Sequence, residues 1–183
     1  ERFGARVAAG EEGGEEEAVS RTLPSTLTER QIVDVYRRLL DARTAILIDA
    51  FRTLLARPRT KEVERATMAV FPDEYGDGFV NVGLSFAGSA VRTASDDATI
   101  FAGAHVSLGE GVERLPFIDV GAYHDRDIPL ANMVVDLIKG WCAECWWKAG
   151  GYDYDIPVIL VGHDGFGDGE IIPLTEKRFT APS

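Results

Sequence analysis

Apolar residues recur with a helical period from residue 27 onward. Thr28 followed three positions later by Gln31 forms a capping box, which is typical of a helix N-terminus. Apolar residues then return every three or four positions until Pro58, where a helix must stop. This pattern predicts one long amphipathic helix with apolar positions at Ile32, Val35, Tyr36, Leu39, Leu40, Ile46, Leu47, Ala50, Phe51, Leu54 and Leu55.

A second helical period begins at about Asp127, with Pro129 in the first turn, and ends at Gly150 and Gly151. The spacing between its apolar residues is three or four throughout, and charged residues fall between them. The pattern predicts a second long amphipathic helix with apolar positions at Leu130, Met133, Val134, Leu137, Ile138, Trp141, Cys145 and Ala149.

Outside these helices the pattern is typical of strands, with apolar and polar residues alternating or short apolar runs between turns. Pro157 cannot donate a hydrogen bond to a neighbouring strand, so we expect it at a strand start or a sheet edge. Consecutive strands are expected to pair as hairpins. Six segments are predicted as strands: 66–71, 80–86, 99–106, 115–120, 156–161 and 171–174.

These elements predict an α+β fold, a mainly antiparallel sheet of about six strands covered by two long amphipathic helices. Residues 10–17 contain only Gly and Glu and repel one another, so we assign residues 1–21 to a flexible acidic tail. Residues 22–183 are predicted to form a single α+β domain, because no linker or repeat divides them.

Charge narrows the choice of partner. The 183 residues carry 30 Asp and Glu against 19 Lys and Arg, a formal net charge of −11. Nucleic acid is therefore not an expected partner, since phosphate binding needs clustered Lys and Arg. No apolar stretch approaches the ~18 residues of a membrane helix, so no membrane partner is predicted. Two cysteines are too few for a disulfide scaffold, which favours a cytoplasmic location.

The segment from Trp141 to Cys145 resembles the Trp-Cys-x-x-Cys active site of the thioredoxin family. The resemblance implies that Cys142 attacks and Cys145 resolves, giving thiol-disulfide oxidoreductase as an alternative function. Yet the helical spacing continues straight through both cysteines and places them near a helix C-terminus, where the dipole disfavours a thiolate. Two buried, inert cysteines are therefore the favoured interpretation.

The sequence contains little evidence for a metal site or a catalytic motif. The Gly-rich acidic segment holding Asp164, Asp168 and Glu170 would suit calcium, but it lacks the 12-residue EF-hand pattern. We therefore predict a hairpin with solvated carboxylates, and neither metal nor cofactor. In His163–Asp164, as in His124–Asp125, strand neighbours would point to opposite faces and form no acid–base pair. The chain has three histidines, His105, His124 and His163. No two of them have the spacing expected of ligands in one zinc site.

Aromatic and acidic residues concentrate after the second helix. Trp146 and Trp147 cannot both face the core if Trp141 and Cys145 do. One of them is therefore expected at the surface, where tryptophan often anchors an interface, or beneath a following loop that covers it. Carboxylates around such an anchor favour a basic protein partner and speed its association. The predicted binding residues are Trp146, Trp147, Tyr152, Asp153, Asp155, Asp164, Asp168 and Glu170.

Residues 141–151 and 155–169, with their Trp-rich helix end and Gly-Asp hairpin, are similar to small acidic immunity proteins of bacterial polymorphic-toxin systems and to related uncharacterised bacterial families. The resemblance implies a non-catalytic inhibitor that occludes the basic active site of a cognate toxin. Binding by occlusion is therefore the expected function.

Overall fold

The chain is described by a computed structural model that covers residue 24 and residues 26–59, 61–72, 81–88, 105–107, 123 and 126–178. The elements follow one another in this order: α1 (Glu29–Asp41), α2 (Thr44–Leu55), β1 (Arg65–Phe71), β2 (Asn81–Ala87), β3 (His105–Ser107), α3 (Leu130–Lys148), β4 (Val158–Gly162) and β5 (Ile172–Pro173). In this part of the chain no helix is long and apolar enough to cross a membrane.

The first predicted helix is in fact two helices. Its start is confirmed, since the side chains of Thr28 and Gln31 cap each other's backbone N–H groups. α1 ends at Asp41, however, and α2 begins at Thr44. The buried Leu40 and Leu47 are seven residues apart, which keeps the helical phase across the break, so the apolar pattern could not reveal it.

A residue of α3 contacts the chain where α1 and α2 are separated. The Thr44 hydroxyl donates to the Leu40 carbonyl (3.2 Å), and the Trp141 indole N–H donates to the Thr44 oxygen (2.9 Å). Both short helices pack on α3. α3 in turn packs on β1 and β4, so it forms a layer between the other helices and the sheet.

α3 follows its prediction closely and runs through both cysteines. It ends where Gly150 adopts a left-handed conformation (φ +92°), which an L side chain rarely adopts. Gly151 then passes so close to Trp146 that a Cβ there would lie 2.3 Å from the indole ring. The two glycines therefore end the helix and cover the buried tryptophan.

The predicted sheet was wrong in its details. The described residues form a five-stranded mixed sheet in the order β3-β2-β1-β4-β5, with three helices instead of two. The β1–β2 and β4–β5 pairs are antiparallel, as the hairpins predict, but β4 lies parallel to β1. Parallel neighbours need a long crossover connection, and α3 lies within the connection to β4. Alternation along a strand does not record which strand lies beside it or in which direction it runs.

Several predictions fall wholly or mostly outside the described residues. Of the expected hairpin 99–106 and 115–120, only His105–Ser107 is described, and it pairs antiparallel with β2. The predicted tail 1–21 and His124 are not among the described residues. Pro157 directly precedes β4, where its carbonyl accepts from the Ala66 N–H (2.9 Å), in accord with the predicted strand start.

Candidate functional site

The predicted site residues lie at two places along α3. Residues 167–174, which we call the β5 segment, run beside this helix. At one end the Gly167 N–H donates to Asn132 Oδ1 (3.0 Å), and at the other the Trp147 indole N–H donates to the Leu174 carbonyl (3.1 Å). Fifteen residues of helix separate Asn132 from Trp147, which corresponds to about 22 Å. The predicted acidic hairpin and the tryptophan pair are therefore distinct regions.

The first region is a lysine cluster of Asp136, Lys139 and Asp168. The Lys139 side chain is 2% exposed, and its Nζ donates to Asp168 Oδ1 (2.6 Å) and Asp136 Oδ1 (3.3 Å). The Asp168 N–H donates to Asp136 Oδ1 (3.0 Å), and the Glu170 N–H to Asp168 Oδ1 (2.9 Å). Asp168, whose side chain is still 48% exposed, thus also pairs with a buried lysine, a contact that the sequence did not predict.

The lysine cluster stays charged through the neutral pH range. Burial by itself lowers the pKa of Lys139, but hydrogen bonds and charge from Asp168 and Asp136 outweigh it and raise that pKa above its ordinary 10.5. The Lys139 hydrogen bond, followed by the Glu170 N–H, lowers the pKa of Asp168 below 3.8. The cluster's contribution to stability is lost only as pH falls through the Asp168 pKa or rises through the Lys139 pKa.

This cluster has neither a reactive amine nor a cation site. A lysine with a raised pKa is protonated at neutral pH and cannot act as a nucleophile. The ammonium group contacts both carboxylates and so occupies the position that a metal ion would need. Among the described residues, no group of three or more His, Cys, Asp or Glu side chains could hold a metal ion.

His163 and Asp164 follow β4 and depart from the geometry expected of strand neighbours. Asp164 has a left-handed backbone (φ +50°), which brings its Oδ2 to 3.3 Å from His163 Nδ1. The imidazole also lies against the Phe71 ring, with 4.2 Å between centroids. The sequence argument assumed an extended strand, whereas the chain makes a turn here. His163 Nδ1 is nevertheless buried without a hydrogen-bond partner among the described residues. This pair lies at the carboxyl ends of the parallel strands β1 and β4.

The second region is the end of α3. Trp146 is completely buried, whereas Trp147 is 42% exposed, so Trp146 is a core residue and not the binding residue that the sequence suggested. Tyr152 and Ile171 are also large, apolar and exposed, by 46% and 60%. The Glu176 N–H donates to the Tyr152 carbonyl (2.9 Å), which joins the two segments. Ile171 and Glu170 lie three and four residues before Leu174, the residue whose carbonyl Trp147 contacts. We call these exposed residues together the docking face: Trp147, Tyr152, Asp153, Glu170, Ile171 and Glu176.

Carboxylates dominate the surface around the docking face. Residues 144–178 carry seven Asp and Glu, all exposed, against three Lys and Arg. Asp155 is ion-paired with Arg59, which also lies 5.7 Å from the centre of the Tyr154 ring. In the part of the chain that the structure describes, no ion pair engages Asp153, Glu170 or Glu176.

Sequence reasoning missed Asn132, Asp136 and Lys139. They lie four and three residues apart on α3 and therefore share one helix face, although they interrupt an otherwise apolar element. A polar stripe on a helix that is apolar on its other sides indicates a buried polar contact. The spacing was visible in the sequence, but the partner, Asp168, lies 29 residues further along the chain.

Both cysteines are free thiols, buried in the last two turns of α3. Burial raises the pKa of the Cys142 thiol and raises that of Cys145 to about 11. A thiol that must ionise in order to attack is poorly suited to this environment. The geometry therefore gives no support to the oxidoreductase alternative.

We expect both thiols of the native protein to react slowly with iodoacetamide at pH 8. A pKa near 11 in place of 9 lowers the thiolate fraction of Cys145 about 100-fold, and burial blocks access as well. Alkylation followed by intact mass should show rates at least ~100-fold below those in 6 M guanidinium chloride. Rapid single alkylation of Cys142 in the folded protein would contradict this expectation.

The chain belongs to a protein family described as a family of unknown function (DUF6389), whose profile matches residues 27–176. That match includes all the described helices and strands. No curated protein matches the chain, and no solved structure matches it.

Proposed function

We propose that this member of the DUF6389 family is a non-catalytic acidic binding protein that covers a basic surface of a partner protein with its docking face. The observation that carries the proposal is that three large side chains, those of Trp147, Tyr152 and Ile171, are exposed on segments joined by the Trp147–Leu174 and Glu176–Tyr152 hydrogen bonds. The nearby carboxylates of Asp153, Glu170 and Glu176 have no ion pair among the described residues. Exposed apolar side chains rimmed by polar residues are typical of protein interaction sites.

Trp147 has the properties of an interface anchor. Its indole N–H is held by the Leu174 carbonyl, so the ring is already oriented and loses little conformational freedom on binding. Tyrosine and tryptophan are enriched among the residues that dominate binding energy. The two rings supply apolar contact area, and Ile171 extends it along the β5 segment.

The carboxylates select the partner. An excess of exposed negative charge attracts a basic protein during diffusion and accelerates association more than it strengthens the final complex. From the resemblance of residues 141–151 and 155–169 to small acidic immunity proteins, we propose that the protein acts by occlusion and that its partner is a cognate toxin whose basic active site becomes covered. In this proposal the protein performs no chemistry of its own.

We expect neutralisation of the docking face to slow association with the partner about fivefold at low salt. The immobilised chain would capture its partner from a native lysate, and association rates of the purified partner would be measured for Asp153→Asn/Glu176→Gln. The matched control, Asp34→Asn/Asp41→Asn, changes the net charge equally at exposed positions of α1.

The control variant should retain the association rate within about twofold, because its carboxylates lie on another surface. Equal slowing by both variants would show that only net charge matters and would contradict a defined docking face. Failure of the wild-type chain to capture any basic protein in near-equal amount would overturn the proposed function.

A further inference from the structure

The position of the β5 segment is not set by the sheet alone. β5 pairs with β4 through only two residue pairs, Ile159 with Pro173 and Leu160 with Ile172. Such a short ladder fixes register weakly. The segment preceding it is instead held by side chains of α3, namely those of Asn132, Asp136 and Lys139.

The β5 segment is held at two points. The Gly167 and Asp168 N–H groups donate to side chains of α3, and Ile172 and Pro173 pair with β4. Glu170 and Ile171 lie between these two points, two and three residues after Asp168. Loss of the contacts near Gly167 would therefore leave their position to the short β5 ladder alone.

At Gly167 the backbone of the β5 segment passes very close to α3. Gly167 has φ +87°, and a Cβ there would lie 2.4 Å from Asp136 Oδ1. Only glycine therefore lets the N–H groups of residues 167 and 168 reach Asn132 and Asp136 at 3.0 Å. Lys139 completes the site, because its ammonium holds the carboxylate of Asp168 against the helix.

Burying a lysine is a costly way to gain stability. The Lys139 side chain is 2% exposed, whereas those of Asp136 and Asp168 are 35% and 48% exposed, so the desolvation cost falls mainly on the ammonium group. The ion pair does, however, favour one arrangement of the chain. The Lys139 ammonium group is satisfied only when a carboxylate lies at one position beside it. A polar contact of this kind selects one arrangement of the chain over its alternatives.

We propose that Lys139 is a positioning residue that fixes the β5 segment on α3 and so presents Glu170 and Ile171 on the docking face. The effect on binding rests on the proposed function, whereas the effect on the β5 segment does not. Lys139 itself is buried, so its effect on binding is exerted through the β5 segment.

The first test is hydrogen exchange of Lys139→Met, which keeps the length of the side chain and removes its charge. We expect the amides of Gly167, Asp168 and Glu170 to exchange at least ~10-fold faster, while those of β1 and β4 remain unchanged. The control is Lys148→Met, an exposed lysine of the same helix paired with Glu144. Unchanged exchange of the three amides in Lys139→Met would overturn the proposal.

The second test measures binding of Lys139→Met to the basic protein captured by the wild-type chain. We expect Lys139→Met to raise Kd about 10-fold. The binding control is Arg38→Met, which removes an exposed cation of α1 and should change Kd less than threefold. Faster amide exchange with unchanged Kd would refute the link to the docking face. If the wild-type chain captures no basic protein, the proposed function and that link fail together, while the exchange result still decides whether Lys139 positions the segment.

Discussion

Replacing Trp146 with alanine is expected to lower the free energy of unfolding by about 3–5 kcal/mol. The side chain is completely buried and lies edge-to-face against Phe51 (5.2 Å between centroids) and Tyr154 (5.9 Å). These rings belong to α2 and to the turn after α3, so the substitution opens a cavity where three parts of the chain meet. Urea unfolding followed by circular dichroism at pH 7 measures the effect without relying on tryptophan fluorescence.

The neighbouring residue provides the control. Trp147→Ala is the same substitution one position along the helix, but it removes a half-exposed ring and one hydrogen bond to the Leu174 carbonyl. We expect it to cost about 1 kcal/mol or less in stability. In the proposed function it should nevertheless weaken partner binding more than any other single substitution of the docking face. Equal destabilisation by both variants would contradict the assignment of one tryptophan to the core and the other to the surface.

Gly162→Ala is expected to destabilise the protein by about 1–3 kcal/mol. Gly162 is the last residue of β4, and a Cβ there would lie 1.9 Å from the carbonyl oxygen of Phe166 and 2.8 Å from its carbonyl carbon. The obstacle is backbone, so no change of rotamer relieves it. The turn that carries His163 and leads into the β5 segment would have to move, and thermal and urea unfolding would both report the loss.

Gly140→Ala is the corresponding control in α3. Gly140 is exposed within the helix, and a Cβ there would meet nothing within 4 Å. Alanine restricts the unfolded chain and favours helix, so we expect a gain of about 0.5–1 kcal/mol. Loss of stability in this variant, or none in Gly162→Ala, would show that the environments of the two glycines differ from those described.

The local elements were largely predictable from the sequence. The capping box at Thr28, the helical period of α3 through both cysteines and the alternation in β2 each depend on residues close together in the chain. Such patterns record which side of an element is buried. The same reasoning indicated that Trp146 and Trp147 could not both face the core, although it could not choose between them.

The arrangement of these elements was decided by the tertiary structure. The break between α1 and α2 preserves the helical phase, so only the contact of Thr44 with Trp141 reveals it. The parallel pairing of β1 with β4 depends on the crossover through α3, and alternation carries no information about strand direction. Trp146 is buried because the turn at Gly151 covers it.

The site shows the same division. The sequence determined that acidic and aromatic residues are concentrated after α3, since that is a matter of composition. It could not determine that Asp168 is paired with Lys139, because that contact joins residues 29 positions apart. Which apolar side chains are buried follows from their spacing along one helix or strand, so a short segment is enough to predict it. The pairing of a buried charge depends on what the rest of the fold brings to it, and only the assembled structure supplies that.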